Sequence, residues 1–341
     1  MYQYFIVLLF IYIISFARIK YGCEILFFLL FLFSAIRFDV GFDFDTYYHV
    51  ITGSNFYEYE RFGFIDKSLI DFTNYVGINQ LYFFITSFFT VYLIIQTIKK
   101  YSDDVFISII VFYVIPIFYL YSFSLIRQFI AVAIIFYSIE YVLHRRLFRF
   151  FICITIASMF HISALVAFPI YILRYKKIPI WIMAIMFVVV IFLPAMGRNL
   201  IDSYIPYYSI YLDSSQGHGW TMMYLMLFFL GFSIVNRKFI NNEKDIIIYN
   251  SYLVGVFLYC LFIQFGEVAP RISFYYLIFL TLLIPSIVFK CKSIIIKISV
   301  FFCFAILFVI NFYFFDKNEH KNPYLPYQTF IGVDVNSYNF K

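Results

Sequence analysis

Arg127, Gln128 and His161 lie in the stretch 124–165, which is otherwise almost wholly apolar. A guanidinium at the centre of a membrane helix costs about 2.5–3.5 kcal/mol on insertion scales. An arginine in such a stretch must therefore reach an aqueous rim or find a partner. His161 interrupts its run beside Ser163. An imidazole there can donate to a phosphate or a sugar hydroxyl and can exchange a proton near neutral pH. A buried histidine donating to a backbone carbonyl is the competing explanation. Arg37, Arg198 and Arg271 also stand singly at the ends of apolar runs. Snorkelling accounts for any one of these arginines. Four on one face point instead to an anionic ligand, because the planar fork of arginine matches phosphate oxygens two at a time. Each charge-assisted bond contributes about 1.5–3 kcal/mol, so two or three offset the insertion cost.

Carboxylates gather in the same regions. Asp39, Asp43 and Asp45 alternate with apolar residues after Arg37, Glu58 and Glu60 follow, and Glu267 precedes Arg271 by four. A solvated acidic loop paired with its own arginines is the plain reading. The D-x-D spacing of Asp43 and Asp45 is also compatible with a divalent cation held through phosphate oxygens. Two carboxylates alone do not make a metal site, and the arginines can supply the same charge. The five histidines show no ligand spacing. The five cysteines (Cys23, Cys153, Cys260, Cys291, Cys303) form neither a C-x-x-C nor a disulfide framework. No metal and no cofactor is expected.

The elements that carry these residues are set by composition. The chain has 341 residues, 64% hydrophobic and 13% charged. One soluble core cannot hide that apolar fraction, and repeated runs of spanning length define an all-α polytopic membrane protein. The runs fall at 3–17, 24–36, 80–98, 105–124, 126–143, 148–160, 162–173, 178–196, 220–235, 246–265, 272–289 and 294–315. That makes about 10–12 transmembrane or re-entrant helices. The first run lacks a basic n-region and a cleavage site, so it is expected to be retained. Basic clusters occupy every second gap: Arg18/Lys20, Lys99/Lys100, Arg145/Arg146/Arg149, Arg174/Lys176/Lys177, Arg237/Lys238/Lys244 and Lys290/Lys292/Lys297. The positive-inside rule places these gaps in the cytoplasm, which also explains most of the +6 net charge. Only a break near His161 keeps all six on one side. The spacing therefore predicts a re-entrant or bent hairpin over 148–173 with His161 at its tip.

Residues 1–315 then form one integral membrane domain, and the outer face owns the long loops 37–79 and 197–219. In the first, Ile65, Leu69, Phe72 and Val76 predict a short amphipathic helix lying in the interface. The second carries Tyr204, Tyr207, Tyr208 and Tyr211, with Pro206 interrupting any helix. The tail 316–341 is polar and, with Pro323 and Pro326, expected to be irregular. No internal repeat is present.

Five pieces of the chain, in order, resemble the EpsG/Wzy-type polysaccharide polymerases. They are R-F-D-V-G-F-D-F-D-x-Y (37–47), E-R-F-G-F (60–64), I-R-Q-x-x-A (126–131), A-S-M-F-H-I-S-A-L (157–165) and R-I-S-F-Y-Y (271–276), with P-Y-Q-T at 326–329. One departure is visible: the family's E-P-G-Y/F reads E-R-F-G-F here. The resemblance implies a GT-C-like bundle in the bacterial inner membrane with its site on the periplasmic face. It implies an O-antigen polymerase that transfers a growing glycan from undecaprenyl pyrophosphate onto a fresh lipid-linked repeat unit. Arg127 and Arg271, with Arg37, would bind the diphosphate. Glu60, or one of Asp43 and Asp45, would accept the acceptor's proton, and His161 would orient phosphate or hydroxyl. Asp39, Tyr47, Gln128 and Tyr275 join the substrate-binding set. The partners implied are lipid-linked glycans, membrane lipid and a chain-length regulator protein, with no nucleic acid. An O-antigen ligase with the same donor, a lipid-linked oligosaccharide flippase and a non-catalytic assembly partner are the alternatives.

Overall fold

Pro116 cannot donate a backbone hydrogen bond, and the run 105–124 divides there. Local signals of this kind set most element boundaries in the computed structural model, which describes residues 1–204, 219–291, 294–317 and 323–331. In chain order the helices are α1 (Tyr2–Ala17), α2 (Gly22–Ala35), α3 (Phe44–Ile51), α4 (Phe56–Glu60), α5 (Phe64–Val76) and α6 (Gln80–Tyr101). There follow α7 (Val105–Val114), α8 (Tyr121–Ser124), α9 (Ile126–Tyr137), α10 (Ile139–Leu143) and α11 (Leu147–Phe160). A 310 helix, Ile162–Arg174, leads to α12 (Ile180–Tyr204), α13 (Trp220–Val235), α14 (Glu243–Phe262), α15 (Val268–Leu277), α16 (Leu280–Lys290) and α17 (Ile294–Lys317). Asp104 caps α7 by accepting from the backbone N–H groups of Phe106 and Ile107, and Asn242 caps α14 through that of Asp245.

The protein is an all-α polytopic membrane protein. Gln80–Tyr101, Ile126–Leu143 and Glu243–Phe265 are long and apolar enough to span, and α15 with α16 passes as one span bent by 43°. The core of α7, α9, α14, α15 and α16 is almost entirely aliphatic and aromatic. The outside is apolar too: Leu9, Phe10, Ile13 and Phe16 on α1 and Phe28 and Leu32 on α2 are exposed. Such a surface suits lipid and not water.

The run 148–173 is a hairpin. Residue His161 is extended at the end of α11, and the 310 helix returns along it. Phe150 meets Tyr171 at 5.7 Å, and Phe151 meets Phe168 at 5.3 Å. The Arg174 guanidinium donates to the Val142 carbonyl (3.1 Å), so both legs end beside the same basic gap. The other basic clusters join them. Arg18 pairs with Asp104 (3.2 Å), Lys99 with Glu24, Lys100 with Glu140 (2.8 Å) and Arg145 with Glu243 (3.7 Å). Lys177 donates to Asn241, Lys244 pairs with Asp103 (2.5 Å), and Lys290 pairs with Asp245. The described members of the six clusters thus occupy one end of the bundle, and His161 marks the opposite end.

The helix expected over Ile65–Val76 is present as α5, and loop 37–79 holds two further short helices, α3 and α4. On α5 the predicted apolar stripe faces outward, with Phe72 and Val76 exposed, and the face turned inward carries Asp66, Ile70 and Thr73. Residues 323–331 of the polar tail are irregular, as expected, and pack against the bundle. Tyr324 is fully buried and the Tyr327 ring stacks on Phe33 at 4.1 Å. The Phe38 N–H donates to the Gln328 carbonyl and the Phe330 N–H to that of Ile36, which ties the segment to the start of loop 37–79. Tyr207, Tyr208 and Tyr211, and the side chain of Arg198, lie outside the described residues.

Candidate functional site

The backbone turns at Leu125 between α8 and α9, so Arg127 sits in the first turn of a new helix at the end of the bundle away from the basic belt. Its guanidinium lies on the Phe62 ring, 4.0 Å from the centroid, and its Nε donates to the Tyr47 hydroxyl at 3.1 Å. The ring contact and the single bond hold the guanidinium in place. The two terminal nitrogens donate to no side chain among the described residues. Gln128, one residue on, donates through Nε2 to the Arg271 carbonyl at 2.5 Å and so clamps α15 to α9. The Arg271 side chain is exposed and makes no hydrogen bond to the described residues.

Two cavities meet at Arg271. The larger, about 450 Å³, is lined by Arg127, His161 and Arg271, with Glu58, Arg61 and Ser158. The other, about 330 Å³, is lined by Asp43, Tyr121, Tyr259, Glu267 and Arg271. His161 enters the first from the hairpin tip. Its Nδ1 lies 2.6 Å from Ser163 Oγ, which lies 2.9 Å from the buried Tyr275 hydroxyl. This chain fixes the ring and leaves Nε2 free to face the cavity. Burial, helped by Arg127 and Arg271, lowers the His161 pKa to about 4, so the imidazole is neutral at physiological pH.

Asp43 reaches the second cavity because the preceding turn is pinned. Gly41 has a φ of +116°, and an added Cβ would lie 2.6 Å from the Phe123 carbonyl oxygen. The next N–H, of Phe42, donates to Ser124 Oγ at 2.9 Å. Burial raises the Asp43 pKa, and the nearby Arg271 and Arg127 oppose that shift. The E-R-F-G-F piece has an equally tight fit. Phe62 is the platform under Arg127, and a Cβ on Gly63 would lie 2.3 Å from the Met159 carbonyl oxygen, just before the hairpin tip.

Asp43, Arg127, His161 and Arg271 therefore converge, with Tyr47, Gln128 and Tyr275 supporting them. Other residues picked from sequence do not reach the cavities. Asp45 turns to His49 (3.1 Å), and Asp39 is buried in a left-handed turn (φ +51°). Glu60 points outward and pairs with Lys67 at 3.0 Å. The cavity carboxylate of that segment is Glu58, which pairs with Arg61 at 2.8 Å. Arg37 is wholly internal. It lies against the Phe83 and Phe123 rings and donates to the Ser34 and Phe123 carbonyls and the Ser34 and Ser87 hydroxyls. It anchors the fold beneath the cleft, because α2, α6 and α8 all meet at its fork. Arg37→Ala is expected to destabilise the folded protein by about 2–4 kcal/mol, since several buried acceptors lose their donor together. Thermal unfolding in detergent reads the loss. A variant of wild-type stability but reduced diphosphate affinity would instead assign Arg37 to ligand binding. Sequence reasoning missed Asp66, Tyr121 and Tyr259. For Asp66 the available signal was its place on the Asp66–Ile70–Thr73 face of α5. Among the described residues, no three His, Cys, Asp or Glu side chains converge as a metal site would need.

A many-helix membrane bundle with a cationic cleft at the end opposite its basic belt is the class that fold and site define. The sequence model of the EpsG family matches residues 20–329, and the chain belongs to that family. No curated protein and no solved structure matches the chain.

Proposed function

We propose that this protein is a polysaccharide polymerase that moves a growing glycan from a polyprenyl diphosphate onto an incoming lipid-linked repeat unit. The observation that carries the reading is the convergence of Arg127, Arg271 and a neutral His161 on one rim cleft that continues into an acidic, Tyr-lined cavity. Family membership supports the same reading. On the positive-inside rule the basic belt is cytoplasmic and the cleft faces away from the cytoplasm, which in a bacterial inner membrane would be the periplasmic face. Undecaprenyl diphosphate glycans have a matching shape, with a tail in lipid, a diphosphate at the rim and sugars outside.

In the proposed reaction the acceptor hydroxyl oxygen attacks the anomeric carbon of the donor glycan. The bond from that carbon to the phosphate oxygen breaks, and Asp43 takes the hydroxyl proton. The diphosphate leaves with one more negative charge than it had as a diester. Arg127 and Arg271 hold that charge through donors aimed at it in advance. His161 Nε2 orients the phosphate, its ring held by Ser163 and Tyr275. Tyr121 and Tyr259 offer faces for sugar C–H surfaces.

Reconstitution tests this. Purified protein in liposomes with one defined lipid-diphosphate-linked repeat unit should yield a ladder of longer lipid-linked glycans. Glycosylation only of an added lipid A core would assign a ligase. Passage of the unit across the bilayer with no new bond would assign a transporter.

A further inference from the structure

Asp66 is a fully buried carboxylate beside the cleft that the proposed reaction does not use. It sits on the inner face of α5 with no exposed surface. Its Oδ1 accepts from the Tyr82 hydroxyl at 3.3 Å, and its Oδ2 is buried without a hydrogen-bond partner. The Tyr82 ring stacks with that of Tyr47 at 5.9 Å, and the Tyr47 hydroxyl accepts from Arg127 Nε. The carboxylate and the guanidinium therefore share one buried aromatic layer. The Arg127 charge favours the ionised carboxylate, and burial opposes it. With the guanidinium unliganded, its field is what holds a negative charge in that position.

We propose that Asp66 takes up a proton when a diphosphate binds Arg127, so that binding weakens as pH rises through neutrality. The inference rests on the diphosphate reading above. A bound dianion cancels the positive field at Asp66 and leaves a buried carboxylate with one weak bond. Protonation removes that cost. By linkage, whatever ligand promotes protonation is itself bound more tightly where the proton is available.

The surroundings single out this group. From α6 it accepts a hydrogen bond from Tyr82, and it interacts electrostatically with Tyr47 of α3 and Arg127 of α9. The α11 tip brings the Met159 carbonyl beside Gly63, with His161 beyond it. On the outer side of α4 and α5, Lys67 pairs with Glu60, and Tyr59 donates to Asp71; on α3 Asp45 pairs with His49. Asp43 faces the same two arginines from the second cavity. Burial lifts Asp66 to about 7, whereas it lowers His161 to about 4, so of these two Asp66 changes charge nearer physiological pH. Asp66 does not touch the ligand. It is a positioning residue acting through Arg127.

The experiment is calorimetric titration of the full-length protein in detergent with a polyprenyl diphosphate sugar, repeated in buffers of different ionisation heat. A diphosphate diester has no proton of its own to exchange between about pH 6 and 8.5. The wild type should take up protons on binding near pH 7, with affinity falling by up to about tenfold per pH unit above neutrality. Asp66→Asn, a mimic of the protonated form, should bind with no proton uptake and a flat pH dependence. Tyr82→Phe removes the bond that favours the carboxylate and should move the affinity change to higher pH. It carries the test should Asp66→Asn not fold. Proton uptake that persists in Asp66→Asn, an unmoved profile in Tyr82→Phe, or pH-independent binding by the wild type would overturn the proposal while the diphosphate reading stands. Absence of diphosphate binding to the wild type at any pH would remove both.

Discussion

Arg127→Ala and Arg271→Ala are each expected to lower glycan extension by about 10²–10³, the scale seen when one preorganised donor to a developing charge is removed. Neither change should unfold the protein. Arg271 is exposed and makes no hydrogen bond to the described residues, and Arg127 gives up one bond to Tyr47 and its stacking on Phe62. The loss should fall mainly on kcat. The donor diester already has two charges in the ground state, and the third appears only as the bond to the anomeric carbon breaks, so the arginines hold the transition state harder than the substrate. Arg127→Lys separates charge from geometry. Lysine restores the charge but lacks the planar fork that Phe62 and Tyr47 orient, so most of the loss should remain. The readout is the length distribution of lipid-linked glycan per mole of folded protein. Long-chain product at wild-type rate from both alanine variants would rule out the diphosphate site.

Much of this cleft was legible in the sequence because lipid makes charge conspicuous. An arginine among Phe, Ile and Leu has few innocent explanations, and Arg127 and Arg271 both reach the rim. The hairpin at His161 followed from charge alone, since only a break there keeps Arg174 on the side of Arg145. Arg37 shows where that logic stops. Its isolation signals that it needs partners, but not whether those are ligand oxygens or the protein's own carbonyls; the Ser34, Ser87 and Phe123 acceptors come from three helices that only the fold brings together. Glu60 and Glu58 differ by two residues, which on a helix turns one outward to Lys67 and the other into the cavity. One turn of a five-residue helix decides between them, and its phase depends on Asn55 accepting from the Glu58 N–H. Asp66 escaped notice because a carboxylate in a mixed polar loop looks solvated. Its burial is set by α6 packing against a face whose polarity runs against the amphipathic pattern.

Asp43→Asn is expected to reduce transfer by about 10²–10⁴, the usual range for loss of a general base, with diphosphate affinity retained. Geometry sets Asp43 apart from the other acids. It lines the cavity that shares Arg271 with the arginine cleft, so a hydroxyl beside it lies next to the departing diphosphate. Burial raises its basicity, and Arg271 and Arg127 oppose that shift. The sign for activity follows. The working form is the carboxylate, so the rate should rise with pH through the Asp43 pKa, and its acid limb should lie above that of an ordinary aspartate. Asp43→Glu should keep part of the rate. Glu58→Gln and Glu60→Gln should change it little, because the first carboxylate is held by Arg61 and the second by Lys67 outside the cleft. His161 is a poorer base in this setting, since burial opposes its protonation and the two guanidiniums that favour an anion beside it add to that effect. A pH profile of single-turnover transfer separates these assignments. An acid limb that persists in Asp43→Asn but vanishes in Glu60→Gln would assign the proton to Glu60, and would require α4 to turn inward when substrate binds.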